Sequence, residues 1–106
     1  MYNFSFFFVG RGPVFTVKNV LRKTNFIDVL KRVPKTLMKE GIGGYDFLIE
    51  GKWIPPRERV YSTYKNIRVL CGRVGIMPES YMQNTLTRDK IWQKKQKLLK
   101  QKKITK

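Results

Sequence analysis

The chain has no histidine and a single cysteine, Cys71, among 106 residues. Without histidine the commonest general base and the commonest metal ligand are missing, and one thiol forms neither an internal disulfide nor a cysteine-cluster zinc site. Acids are scarce too: seven aspartates and glutamates stand against 23 lysines and arginines. No close pair of carboxylates shares an element, and no nucleophile has a histidine to activate it, so the chain is expected not to be an enzyme and to carry no cofactor or metal. Cys71, in Val69-Leu70-Cys71-Gly72, reads as a small buried hydrophobe. Alanine is absent altogether, the bias of AT-rich coding. No apolar run reaches the roughly 18 residues that a membrane-spanning helix needs, so no membrane span is expected.

What is present is positive charge. The formal net charge is +16, and Lys90 to Lys106 contain eight lysines and no acid. A run of like charge repels itself and is relieved by a polyanion that sheds its counterions, which makes nucleic acid the first partner to consider. At 42% hydrophobic and 13% aromatic the chain is too apolar to be wholly disordered. One small domain of this length hides only about 60 to 70% of its unfolded surface.

The order of segments predicts an α+β fold: a small mixed core of one short helix and two or three strands over residues 14–77, an extended aromatic arm over 1–13, and a long basic C-terminal helix or tail over 78–106. The N-terminal segment holds Phe4, Phe6, Phe7 and Phe8 and lacks the basic flank and cleavage site of a secretory signal, so it is expected to be a strand or extended arm buried on a neighbouring protein. Asn25 with Asp28 resembles a helix cap, and Phe26, Ile27, Leu30 and Val33 recur at helical spacing until Pro34 closes the run. Lys31, Arg32 and Lys35 at its end read equally as helix-end electrostatics and as phosphate contacts. Gly41-Ile42-Gly43-Gly44 reads as a connector, since no Lys-Ser or Lys-Thr follows to make a P-loop. Tyr45 to Glu50 alternates as a strand, and Val60 to Tyr64 and Lys65 to Leu70 suit strands as well. Trp53 beside Pro55 and Pro56 is expected to anchor the core.

Two basic regions are the candidate RNA contacts. Arg57, Arg59, Tyr61, Tyr64, Lys65, Arg68 and Arg73 interleave cations with aromatics, the mixture that brackets phosphates and stacks on bases, although the aromatics suit a core equally well. Lys94, Lys95, Lys97, Lys100, Lys102 and Lys103 are point charges on the terminal helix. Ile91 with Leu98 and Trp92 with Leu99 leave a narrow apolar stripe on that helix, so Trp92, Leu98 and Leu99 are the expected protein contacts of a projecting arm.

Three non-enzymatic classes compete: a structural protein of a ribonucleoprotein, a free nucleic-acid-binding regulator, and an accessory subunit of a respiratory or other protein complex. A regulator would carry a self-contained reading motif, and none is evident. The stretch from Phe26 to Val69 resembles the central segment of the mitochondrial small-subunit ribosomal protein thirty-four family. The residues that carry the resemblance are Leu30-Lys31-Arg32-Val33-Pro34, Gly41-Ile42-Gly43, Trp53, and Tyr61-Ser62-Thr63-Tyr64-Lys65-Asn66-Ile67-Arg68-Val69. The resemblance implies a structural constituent of the small ribosomal subunit in the mitochondrial matrix, holding ribosomal RNA and neighbouring ribosomal proteins and supporting translation without catalysis. The accessory subunit of a mitochondrial protein complex is the alternative.

Overall fold

A computed structural model describes residues 1–10, 14–75 and 80–104, with residue 14 and residues 96–104 by backbone alone. Its elements are β1 (Tyr2–Phe8), β2 (Val14–Val20), α1 (Phe26–Leu30), a 3-10 turn (Ile42–Gly44), β3 (Tyr45–Ile49), β4 (Lys52–Trp53), β5 (Asn66–Arg73) and α2 (Ser80–Ile104). The fold is mixed α+β, one five-stranded sheet in the order β2-β1-β5-β3-β4 with one long helix.

The largest departure from expectation is at the N-terminus. Tyr2–Phe8 is not an arm awaiting a neighbour but a strand inside the sheet, antiparallel to β2 on one side and parallel to β5 on the other. Side chains alternate across a strand, so Tyr2, Phe4, Phe6 and Phe8 share one face and are all buried. Phe4, Phe6 and Phe8 are therefore core residues of this chain and not protein contacts. The division at residue 13 falls with the arm.

Around that aromatic face the core closes locally. Phe26 of α1 lies against Phe6 at 6.4 Å and edge-on to Phe47 of β3 at 5.3 Å. Val29 and Leu30 come one turn later on the same helix face and are buried with Ile67 and Val69 of β5. Asn25 precedes α1 in an extended conformation but makes no side-chain cap; its Oδ1 accepts from Arg59 Nε at 3.4 Å instead. Val60 to Tyr64 is not a strand: this segment is irregular, with Val60 alone buried.

Two backbone irregularities fit their residues. The β1/β2 register slips between Tyr2 and Phe4, and Asn19 takes up the extra residue at φ 59°, its N–H donating to Asn3 Oδ1 at 3.1 Å; asparagine tolerates this left-handed region better than most residues. Between β3 and β4, Glu50 and Gly51 both have positive φ, as a two-residue hairpin turn requires. A Cβ on Gly51 would come within 3.0 Å of Leu86 Cβ, so the turn lies directly against α2.

Helix α2 covers the second face of the sheet. The sequence reads it as a projecting arm that docks through the stripe of Ile91, Trp92, Leu98 and Leu99. Over its first half it instead meets the sheet along Thr85, Asp89 and Gln93, a polar line at four-residue spacing whose members are all buried. Ile91 is exposed, while Trp92 sits edge-on to Phe7 of β1 at 5.8 Å, an internal contact. The side chains of Leu98 and Leu99 lie outside the described residues, as do Pro78 and Glu79, the expected helix start.

Trp53 does not anchor the core. At 36% exposure it stands on the outer strand β4, lining an open cleft of about 360 Å³ with Tyr45, Ile54 and Pro55. Trp53→Ala is accordingly expected to cost about 1 kcal/mol or less. Urea denaturation checks this, and a loss of the 3 to 5 kcal/mol typical of a fully buried aromatic would contradict it.

Candidate polyanion-binding surface

The structure separates the predicted RNA contacts from one another. Arg57, Arg59, Tyr61, Tyr64 and Lys65 stay exposed and lie together on the irregular segment between β4 and β5, with Tyr61 at 77% exposure. Proline at 55 and 56 keeps this segment out of the sheet, so these five side chains face water while Val60 alone turns inward. Arg73 is exposed at the far end of β5, roughly 26 Å from Lys65 at 3.3 Å per residue, and pairs with Glu40 at 3.4 Å. It therefore belongs to a separate surface.

Arg68 is corrected outright. It is 8% exposed, and its Nη1 donates to Asp89 Oδ1 at 2.9 Å across the interface between β5 and α2. Its guanidinium lies over the Phe7 ring, 4.7 Å from the centroid. The other Asp89 oxygen accepts from the Glu50 N–H at 2.6 Å, which ties the β3–β4 turn to the same carboxylate. Beside it Gln93 donates its side-chain amide to the Asn66 carbonyl. The arginine that looked like a surface cation is the internal bolt of the helix.

Burial raises the Asp89 carboxyl above its ordinary range, against the downward pull of Arg68 and the Glu50 amide. A folded-state value above the unfolded one means that the folded chain takes up the proton first. On this group's account stability is therefore greatest below the ordinary carboxylate range and declines as pH rises through the shifted value. Burial likewise pushes the Cys71 thiol far up, leaving it inert inside the sheet.

Lys94 and Lys95 are exposed on α2, and Arg88 and Lys90 join them. The side chains of Lys97, Lys100, Lys102 and Lys103 lie outside the described residues. On the opposite face of the sheet, Lys31, Lys35 and Lys39 rim a cleft of about 320 Å³ floored by Leu30, Val33 and Met38. Lys31 is held at 4.0 Å from Asp28, an exposed pair three residues apart. The glycine run after it is a 3-10 turn whose Gly44 carbonyl accepts from Val74, a connector as expected.

The acids are largely spent on internal duties. Asp28, Glu40 and Asp89 form ion pairs, and Glu50 accepts from Ser62 at 2.8 Å. Sequence reasoning missed the polar face of α2 at Tyr81, Asn84, Thr85 and Arg88. Their i, i+3, i+4, i+7 spacing is legible in the sequence, but polar residues at that spacing ordinarily mark the solvated face of a helix. Among the described residues no three metal-ligating side chains come together, and no helix is long and apolar enough to cross a membrane. No family model, curated protein or solved structure matches the chain.

Proposed function

We propose that this chain is a non-catalytic structural component of a ribonucleoprotein, and specifically of the small subunit of the mitochondrial ribosome, where it contacts ribosomal RNA and neighbouring proteins. One observation carries the RNA reading: the core presents exposed lysines and arginines on both faces of its sheet, while Asp89 is buried against Arg68 and the surface acids Asp28 and Glu40 are each paired with a cation. The ribosomal and mitochondrial assignment rests on the resemblance of Phe26 to Val69. The lysines of α2 act as point charges that release counterions from the phosphate backbone. Arg57 and Arg59, beside Tyr61 and Tyr64, add planar groups that fork onto phosphates and stack on unpaired bases.

The test is RNA affinity at several salt concentrations for the full chain and for a Lys90→Gln, Lys94→Gln, Lys95→Gln triple variant. The slope of log affinity against log salt is expected to flatten by roughly 2 to 3, with the preferred RNA unchanged. An unaltered slope would set RNA binding by this helix aside in favour of a protein-binding role. Co-sedimentation of the tagged chain with small ribosomal subunits from mitochondria tests the particle itself.

A further inference from the structure

The first turns of α2 and the sheet flank a third cleft, of about 310 Å³, between Val9 and Gly10 at the end of β1, Arg68 and Leu70 of β5, and the helix face carrying Tyr81, Asn84, Thr85 and Arg88. A helix face turned toward a sheet is ordinarily apolar. This one carries a phenol, an amide, a hydroxyl and a guanidinium, and no carboxylate lines the space.

Three observations point to a ligand. Thr85 is 1% exposed and lines the cleft, and among the described residues its hydroxyl makes no hydrogen bond, which leaves it free to donate into that space. Tyr81, Asn84 and Arg88 are equally without hydrogen-bond or ion-pair partners among the described residues, so the Arg88 charge is uncancelled. Arg68 is fixed in the wall by Asp89 on one side and the Phe7 ring on the other, so a cation is held in place before any ligand arrives. Every polar side chain in the lining can donate a hydrogen bond.

We propose that this cleft seats a phosphate group. It deepens the RNA reading by naming a built site within it, and it rests on that reading only for the phosphodiester source. The chemistry is shared by an internal phosphodiester of RNA and by a terminal or free phosphate. Arg88 supplies the charge, Asn84 and Tyr81 donate at the mouth, and Thr85 donates from the floor beside Arg68.

The experiment follows the Gly10 amide, the Asn84 side-chain amide and the Arg88 Nε–H of the full chain by NMR during titration with inorganic phosphate. Saturable shifts at these three groups are expected. Affinity should weaken at least tenfold in Arg88→Gln and in Thr85→Val, and stay within twofold in Lys52→Gln, which removes the same charge from the distant strand β4. Thr85→Val should melt no lower than the parent chain, which separates loss of ligand from loss of fold. Displacement of phosphate by an oligoribonucleotide with hydroxyl groups at both ends assigns the site to the RNA backbone. Displacement by a nucleoside monophosphate alone assigns it to a terminal phosphate. Shifts that spread over exposed lysines, with Arg88→Gln and Lys52→Gln alike, would overturn the proposal. The salt slope of the α2 lysine variant reads the RNA role separately, so either idea can fail while the other stands.

Discussion

Asp89→Ala is expected to destabilise the chain by about 3 to 5 kcal/mol, the cost of stranding a buried charge by removing its partner. The side chain is almost wholly enclosed and answers two donors at once, Arg68 Nη1 and the Glu50 N–H. Alanine would leave a guanidinium against the Phe7 ring with no counter-charge and the β3–β4 turn with no acceptor. Asp89→Asn keeps an acceptor for the Glu50 amide and should fall between parent and alanine. The pair as a whole is another matter: replacing Arg68 by methionine and Asp89 by leucine together should recover most of the loss, because an apolar pair of similar volume avoids the desolvation of both ions. Urea denaturation of the three variants checks this. A loss below about 1 kcal/mol for Asp89→Ala would mean that the pair is solvated, as exposed ion pairs are.

Phe6→Ala should cost about as much for a different reason. Phe6 is 0% exposed at the middle of β1, flanked by strands on both sides and stacked on Phe26. Truncating a buried phenylalanine removes its transfer free energy and leaves a cavity, together about 3 to 5 kcal/mol. At about 4 to 8 °C per kcal/mol for a domain near this size, Tm should fall by at least about 12 °C. Thermal unfolding measures it. An unchanged Tm would restore the picture of an arm held by some other molecule.

What the sequence disclosed, and what it hid, follows from how local each interaction is. The strand at Tyr45–Ile49 and the short helix at Phe26–Leu30 are each announced by spacing and punctuation within a dozen residues. The role of Tyr2–Phe8 is not, since its partner strand is far along the chain: Asn3 and Asn66 stand 63 residues apart. The alternation of Tyr2, Phe4, Phe6 and Phe8 with Asn3 and Ser5 was visible as a strand face, but nothing local says what it faces. Arg68 was misread for the same reason. A lone arginine among tyrosines looks like a surface cation until its carboxylate, 21 residues later on another element, is seen beside it. Trp53 went the other way, because the prolines that appeared to pin it inward hold the chain at the sheet's edge.

The parallel pairing of β1 with β5 also sets an order of events during synthesis. A strand made early and completed late must wait for its partner: at roughly 5 to 20 residues per second, the 63 residues between Asn3 and Asn66 occupy about 3 to 13 s. Through that interval the nascent chain can pair β1 with β2 alone, an isolated hairpin of marginal stability whose open edge carries four phenylalanines. Long-range pairings of this kind also slow the search for the native state once the chain is complete. The strand that gives the finished protein its core is thus the segment most exposed to mispairing while it is being made, and the demand for chaperone protection should be concentrated there.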